Sequence, residues 1–373
     1  GIKAALTTLS QALADFSQSP YQETNANIVM NAFKGVTQVL NEYDANLKTL
    51  MEQTKNDLSV AVEDINTKLD QLSELNSSIA HEIFSNNDYD GVNYGPNDLL
   101  DQRNVILDDL SRYGDVQVTD LEDGKIQVKI NGKVVVDASG ASYTNDKLNI
   151  GSDGVTLTWN SNNQNANLGA GAIRGFTDML TGADPINAGI PYYQNKMDNF
   201  AQTLADVFNN KIHADDPDFP DKYKFLLQGG VDGKVTAGNI SISDQWADDV
   251  SYIIRKQNPD GELDNQDILD MKAAFEQDFN FGGEYTGTFS EFITSVTNTL
   301  GSGIKTNSAR MSASLAIAES ADSERMGVSG VSLNEEGISM MTYNKAYQAL
   351  GRLMTTMDEQ LDMIINKMGI VGR

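Results

Sequence analysis

The sequence predicts an α+β protein in which long terminal helices form a coiled-coil-like bundle with a β-containing central insertion. Apolar residues recur at heptad spacing near both ends of the chain, as in helices that pair along a seam. In the centre, β-branched runs are separated by Asp-Gly and Asn-Gly, which favour tight hairpins. We therefore predict a helical rod domain made of residues 1–114 and 288–373. Residues 115–287 are predicted as a mixed central region, with β-hairpin subdomains and helices that return to the rod.

The composition excludes several kinds of partner and chemistry. The 373 residues, 40% of them hydrophobic, suffice for two or three folded domains at roughly 100 to 200 residues each. The 27 Lys and Arg against 53 Asp and Glu give a net charge of −26, which argues against nucleic acid as a partner. The lack of cysteine removes disulfides and thiolates. No run approaches the roughly 18 apolar residues of a membrane helix, and the opening segment does not look like a signal peptide.

The first two helices follow from spacing and from one capping signal. Apolar residues from Ile2 to Phe16 fall on one stripe, so a helix should end near Gln18. Ser19 and Pro20 resemble an N-cap and a first helical residue, which predicts that a second helix begins there. From Val29 to Ile83 a heptad seam runs with one stutter at Leu58, which predicts a coiled-coil helix of about 80 Å.

The central region changes period more than once. After a polar loop, a shorter helix should end at Gly114, and a β-meander should follow through Asp123-Gly124 and Asn131-Gly132. Residues 148–150 and 155–159 are predicted to extend this meander. Helices are predicted at 173–180, after Pro191 and at 268–275, and a further strand pair at 230–243.

The C-terminal part is predicted to be helical from Phe289 onward, apart from a break at 327–330. Ser332 and Glu335 form a capping box before the last helix. That helix has the most regular heptads in the chain, and we predict that its seam is an assembly interface made of Tyr343, Tyr347, Leu350, Met354, Met357, Leu361, Ile364 and Met368. For the inner turns the simpler partner is the Val29 to Ile83 helix. The methionines are either core filling or an adaptable contact surface.

We predict no catalytic, cofactor-binding or metal-binding residues. His81 and His213 stand outside any zinc-protease spacing, and the acidic clusters near Asp215 and Asp260 lack the sixth-position glycine of a calcium loop. The segment 169–175, Gly-Ala-Gly-Ala-Ile-Arg-Gly, imitates a dinucleotide turn but has one residue too many. A flexible strand-to-helix turn is the simpler interpretation.

Two motifs go beyond periodicity. The first is Leu99 to Asn104, which contains Leu100, Asp101, Gln102 and Arg103. The second is Ser329-Gly330-Val331-Ser332-Leu333-Asn334-Glu335-Glu336, followed by Tyr343 and by Ala346 to Ala349. Together they resemble the flagellar hook-associated protein 1 family. The second motif alone resembles the shared ending of many flagellar axial proteins, whereas the Leu-Asp-Gln-Arg helix narrows the resemblance to this family.

The resemblance implies a structural subunit that joins hook to filament in the bacterial flagellum. It implies as partners the hook protein, the second hook-filament junction protein, further copies of itself in a ring and an export chaperone, with neither nucleic acid nor membrane. It also implies an extracellular location, reached through the flagellar secretion channel without a cleaved signal peptide. Family members open with a further helix and an Asn-rich segment, so we expect an N-terminal helix to be missing before Ile2. The alternative is another extracellular coiled-coil structural protein, flagellin-like or phage-tail-like.

Overall fold

The computed structural model describes residues 1–86, 96–138, 144–212, 225–230, 233–254, 265–330 and 333–362. These residues form helices α1 (Ile2–Gln18), α2 (Glu23–Asn86), α3 (Asn97–Ser111), α4 (Gly171–Thr181), α5 (Ile190–Asn209), α6 (Asp244–Asp248), α7 (Gln266–Ala273), α8 (Phe289–Ser329) and α9 (Leu333–Asp362). The strands are β1 (Val116–Asp120), β2 (Ile126–Ile130), β3 (Lys133–Asp137), β4 (Thr144–Asn145), β5 (Leu148–Ile150), β6 (Leu157–Trp159), β7 (Leu227–Gln228), β8 (Ser241–Ile242), β9 (Phe279–Phe281) and β10 (Tyr285–Gly287). The α+β class with long terminal helices and a β-containing insertion is confirmed. By packing, the chain divides into Gly1–Ser302 and Gly303–Arg373.

The junction between α1 and α2 differs from the prediction in one detail. The N–H of Ser19 donates to the carbonyl of Phe16 and so closes α1, and the N–H of Gln22 then donates back to Ser19. Because Ser19 ends one helix, it cannot also cap the next, and α2 begins only at Glu23. The prediction of a helix start at Ser19 and Pro20 was therefore wrong.

The predicted seam of α2 is largely buried. The seam residues with at most 4% exposure are Val29, Phe33, Val36, Leu40, Thr54, Leu58, Val62, Ile65, Leu69, Leu72, Asn76 and Ile79. Their neighbours in the buried clusters all come from Gly1–Ser302. The start of α8 lies in the same buried cluster as the first half of this seam. The predicted pairing of α2 with the rest of the C-terminal helices stays a prediction.

These clusters are two separate hydrophobic cores along α2. The first core joins α1 and the beginning of α2 to α5, the short strands β7 to β10 and the start of α8. Its centre is aromatic: Phe33 packs edge-on against Phe208 and Trp246, and Phe281 stacks on Phe292 with ring centroids 4.2 Å apart. The second core joins the later half of α2, from Leu58, to α3, β1 to β6 and α4.

The β-meander of the second core follows the hairpin signals in the sequence. Strands β1 to β4 form one antiparallel sheet in chain order. Asp123, Gly124, Asn131 and Gly132 all have positive φ, between 48° and 79°, as their turn positions require. The two strands predicted at 148–150 and 155–159 are present as β5 and β6, but they form a separate two-stranded sheet and do not extend this one.

Three asparagine side chains attach strands to helices. On α2, the amide of Asn76 donates to the carbonyl of Ile126 at 2.8 Å and accepts from its N–H at 3.1 Å. Asn66 makes the same pair of bonds with Leu148, both at 2.9 Å. On α5, Asn209 does so with Leu227. Each side-chain amide thus makes the two hydrogen bonds that a neighbouring strand would make to one residue at a sheet edge.

We expect Asn76→Leu to destabilise the second core by about 2 to 4 kcal/mol. The apolar side chain fits the buried seam but leaves two buried backbone groups of Ile126 without a partner, each worth about 1 to 3 kcal/mol. Urea unfolding followed by the fluorescence of Trp159, in a Trp246→Phe background, would measure the change. Asn46→Leu, at an exposed position of the same helix, is the control and should shift the midpoint little.

The remaining predicted elements are found with shifted bounds. Helices α4, α5 and α7 lie where they were predicted, and α3 ends three residues before Gly114. The predicted strand pair at 230–243 exists, but its first strand, β7, precedes Gly230. His213 and the acidic residues Asp215 and Asp260 lie outside the described residues.

The loop between β7 and β8 packs against two carboxylates. Asn41 of α2 donates to the carbonyl of Ala237, whose N–H donates to Asp198 of α5 at 2.8 Å. Burial raises the pKa of Asp198 above its ordinary value, against the lowering effect of the Ala237 hydrogen bond, and the charge of Asp44 raises it further. The folded state therefore holds this proton more tightly than the unfolded chain does.

Asp198 gives a pH dependence with a definite sign. Because its folded pKa lies above the unfolded one, stability should increase as the pH falls through the folded pKa towards the ordinary aspartate value of 3.8. Asp198→Asn keeps an oxygen for the Ala237 N–H, so it should stabilise the first core near neutral pH and remove this part of the pH dependence. Urea midpoints of both proteins between pH 4 and 8, reported by Trp246, would test this. A variant less stable than the parent at pH 7 would contradict it.

The described residues of the unit Gly303–Arg373 form the later part of α8 and α9. None of its described side chains is buried. Isolated helices gain little stability without tertiary packing, so the apolar residues of this unit require a partner surface.

Candidate assembly surface

The predicted seam of α9 is an exposed row of large apolar side chains. Their exposed fractions are Tyr343 75%, Tyr347 78%, Leu350 59%, Met354 69% and Met357 53%. Spacings of 4, 3, 4 and 3 place these residues on one face of the helix. Leu361 belongs to α9, but its side chain is outside the described residues, as are Ile364 and Met368. Whether the row is an assembly interface stays a prediction.

The later part of α8 carries further exposed apolar residues that the sequence analysis did not single out. They are Ile304, Met311, Leu315, Ile317, Met326 and Val328, with exposed fractions from 56% to 92%. The signal was weak because Gly, Ser and Ala occupy many of the intervening positions, so the helix has no continuous stripe. Small side chains between large ones let another helix approach closely.

The break between α8 and α9 explains several residues of the second family motif. The N–H of Gly330 donates to the carbonyl of Met326 at 2.8 Å, and a Cβ at Gly330 would lie 2.2 Å from that carbonyl oxygen. Asn334, Glu335 and Glu336 are exposed in the first turn of α9, where negative charge favours the helix start. Val331 and Ser332, and with Ser332 the predicted capping box, lie outside the described residues. Ser329 is the last residue of α8, and its side chain is not described.

The first family motif has one buried residue that fixes the β1–β2 hairpin. Arg103 of α3 is 8% exposed, and its Nη1 donates to the carbonyl of Gly124 in the hairpin turn at 2.6 Å. Burial lowers the pKa of Arg103, and the charge of Asp120 opposes this. Asp101 and Gln102 are exposed on the same helix, and Leu100 is half-buried. Arg103 thus holds the β1–β2 hairpin against α3, whereas Asp101 and Gln102 are accessible to other molecules.

The glycine-rich segment 169–175 is a close backbone contact. Gly171 has φ of +76°, and a Cβ there would lie 2.3 Å from the carbonyl carbon of Tyr113. The next residue, Ala172, donates its N–H to the carbonyl of Arg112. The glycine allows α4 to start against the end of α3, which supports the simpler interpretation of this motif.

A serine, lysine and aspartate meet on the β-subdomain without a catalytic geometry. Ser161 donates its hydroxyl to Asp146 at 2.5 Å, and Lys133 donates to the same carboxylate at 3.2 Å. Burial acts to raise the pKa of Asp146, but the bonds from Ser161 and Lys133 outweigh it and lower that pKa. An ionised carboxylate that holds the serine proton and the ammonium group links β3, the β4–β5 turn and β6. It does not activate the hydroxyl as a nucleophile.

The grooves and potential metal ligands of the described residues complete the candidate surfaces. Two open grooves, of about 440 and 380 Å³, lie between α1 and α2 and beside Lys133. No group of three or more potential metal ligands occurs in the described part of the chain. Among the described helices, none contains the apolar run that a membrane-spanning segment needs.

Two known flagellar proteins are similar to this chain. The flagellar hook-associated protein 1 of Bacillus subtilis strain 168 is 25% identical over 409 aligned positions, which cover all of this chain and 77% of that protein. The hook junction protein FlgK of Burkholderia pseudomallei shows a partial structural likeness, with a TM-score of 0.44 and 20% identity over 57% of this chain and 37% of that one.

Two family models match separate parts of the chain. A model of the C-terminal region of flagellar basal body rod FlgEFG proteins matches residues 323–367, which include α9. A model of the helical domain of the flagellar hook-associated protein FlgK matches residues 1–221, more than half of the chain. The protein therefore belongs to the FlgK family of flagellar hook-associated proteins.

Proposed function

We propose that this chain is a structural subunit of the bacterial flagellum that joins hook to filament. The observation that carries the proposal is the exposed apolar row on α9, from Tyr343 to Met357, within a segment that resembles the C-terminal region of flagellar rod proteins. A helix with such a row gains stability only by packing against other helices. Repetition of that packing around a ring builds a closed structure from one kind of contact.

The proposed partners are further copies of this chain in a ring, the hook protein on one side and the second hook-filament junction protein on the other. A ring subunit needs contacts of two kinds, one with its like neighbours and one with the layers above and below. The exposed residues of α8 and α9 supply apolar surface for such contacts, and the methionines among them adapt to more than one partner shape.

We further propose that the protein acts without catalysis and without a cofactor. The groove beside Lys133 contains Asp146, and the lowered pKa of Asp146 keeps it as an ionised hydrogen-bond acceptor for Ser161 and Lys133. This cluster therefore serves structure and does not activate the serine as a nucleophile. Assays for hydrolase, transferase and metal-binding activity should be negative. A stoichiometric, tightly bound transition metal would contradict this.

The proposed location is the extracellular flagellum, reached unfolded through the flagellar secretion channel with the help of an export chaperone and without a cleaved signal peptide. The sequence has no cysteine, so no disulfide could hold it folded during passage. The α9 row would need cover before assembly, which a chaperone could supply.

The junction role is tested in a strain that lacks the gene. Cells should keep their hooks, lose attached filaments and release filament protein into the medium, and the full-length gene should restore filaments. In parallel, the purified full-length protein should bind the hook protein and the second junction protein. Normal filaments on the deletion strain would overturn the proposal.

A further inference from the structure

The antiparallel sheet of the second core has an open edge at β1. The strand order is β1-β2-β3-β4, so β1 has a neighbouring strand on one side only. Every residue of β1 from Gln117 to Asp120 is exposed, and Val118 keeps 44% of its surface accessible. This edge of the sheet is therefore accessible to another molecule.

The hydrogen bonds around β1 show which of its backbone groups point out of the sheet. Just outside the strand, the carbonyl of Asp115 accepts from the residue after β2, and the N–H of Leu121 donates to the residue before β2, both at 2.8 Å. In an antiparallel pair, residues that bond to the partner strand alternate with residues that do not, so Gln117 and Thr119 bond to β2. The residues whose N–H and carbonyl groups face the open edge are Val116, Val118 and Asp120.

β1 lacks several features that usually keep an edge strand unpaired. Such strands often carry lysine, proline or a β-bulge. The sequence of β1 is Val-Gln-Val-Thr-Asp, without lysine or proline, and its pairing with β2 is regular. Valine and threonine are also residues that fit a pleated surface well. The edge is therefore able to accept an extended segment as a further strand.

The side chain of Val118 indicates what the middle of such a segment should contain. Val118 pairs with Val128 of β2, so both side chains lie on the same face of the sheet. Val128 is fully buried, whereas Val118 is 44% exposed, because no strand lies beyond β1. An apolar residue opposite Val118 in an added strand would cover this side chain and extend the apolar face of the sheet.

The charge of the edge argues against a second copy of this chain as the added strand. Residues 115–122 contain no lysine or arginine, and three exposed acidic residues: Asp115, Asp120 and Glu122. Two β1 strands paired antiparallel about Val118 would place Asp120 of each copy beside Asp115 of the other. Like charges across neighbouring strands are destabilising. A segment with lysine or arginine at both ends would instead bring opposite charges to both ends of β1.

We propose that the open edge of β1 binds an extended segment of another protein, which has a β-branched residue opposite Val118 and basic residues at both ends. The outward N–H and carbonyl groups of β1 supply main-chain hydrogen bonds to this fifth strand, and the acidic residues select its charge. The proposal concerns Gly1–Ser302 alone and does not rest on the proposed junction role.

Hydrogen exchange of single amides, followed by NMR in the whole chain, tests the proposal. In the free protein, the Val118 amide should exchange about tenfold or more faster than those of Gln117 and Thr119, which bond to β2. The probe is the peptide acetyl-Lys-Val-Thr-Val-Thr-Val-Lys-amide, and the control peptide has glutamate in place of both lysines. At millimolar concentration the lysine peptide should slow exchange at Val118 about threefold or more, and the glutamate peptide should not. A Val118 amide already protected in the free protein, or equal effects of the two peptides, would overturn the proposal.

Two variants separate strand addition from adsorption of a basic peptide on an acidic surface. Val118→Pro removes an outward N–H and no hydrogen bond to β2, and proline is tolerated on the open side of an edge strand. The affinity for the lysine peptide should fall about fivefold or more, while protection at Gln117 and Thr119 reports that the sheet is intact. Asp115→Lys changes only an exposed charge and should also weaken binding. Unchanged affinity in either variant would contradict the proposed binding mode.

Discussion

Leu350→Asp is expected to abolish the attachment of filaments to cells and to leave the unfolding of Gly1–Ser302 unchanged. Leu350 lies in the middle of the exposed row of α9, and its burial against a neighbouring helix is worth about 1.5 to 3 kcal/mol per subunit. A carboxylate at this site costs more, because its desolvation is not compensated. The penalty recurs in every copy, so a ring should fail to form. Leu361→Asp, at the same predicted seam, should behave alike.

The prediction separates assembly from folding. No described side chain of α9 is buried, so the free energy of unfolding reported by Trp159 and Trp246 should change by less than about 0.5 kcal/mol. Gln348→Asp adds the same charge on the opposite face of α9 and is the matched control. Filaments attached to cells would be counted for each full-length variant, together with filament protein in the medium. Normal filaments with Leu350→Asp would mean that this row is not an assembly surface.

The helices were predictable because the spacing of apolar residues in the local sequence indicates them. A seam that repeats from Val29 to Ile83 fixes which side of the 64-residue helix α2 is apolar, and most of its positions are buried. The hairpin turns were predictable for the same reason, since Asp-Gly and Asn-Gly tolerate the positive φ that these turns require. The start of α2 was predicted wrongly because Ser19 fits both the end of α1 and an N-cap of the next helix.

The division of the seam between two cores could not be read from the sequence. It depends on which distant elements cover each half of α2, and that is decided by tertiary packing. The asparagine attachments were missed for a related reason: Asn76 was recognised as a seam position, but its partner at Ile126 lies 50 residues away. A polar residue in an apolar seam was the available signal.

The sequence predicted that Tyr343 to Met357 form one apolar row on α9. It did not predict that this row is exposed. The heptad spacing shows that the residues share a face, but it cannot show whether the same chain covers that face. The family motifs were likewise recognisable in the sequence, but the contacts of their residues were not. The sequence alone does not show the structural roles of Arg103 and Gly330. Arg103 contacts the carbonyl oxygen of Gly124, and Gly330 contacts that of Met326.

Gly171→Ala should destabilise the second core strongly. The new Cβ would meet the backbone of Tyr113 and Gly114 at 2.3 and 2.5 Å, and backbone atoms cannot move aside as a side-chain end can. The residue would also have to keep a φ of +76°, which costs an alanine about 1 kcal/mol or more. With the overpacking included, we expect a loss of about 3 kcal/mol.

Gly175→Ala, four residues later in the same motif, is the matched control. Gly175 lies inside α4, and a Cβ added there would have no neighbouring atom within 4 Å, so alanine should stabilise the helix by up to about 1 kcal/mol. Urea unfolding followed by Trp159, with Trp246 replaced by Phe, would measure both variants. The two substitutions should change stability in opposite directions. Gly171 allows a close backbone contact, whereas Gly175 only lowers the helix propensity of α4. Equal effects of the two substitutions would show that the segment 169–175 is not held against α3 as the structure has it.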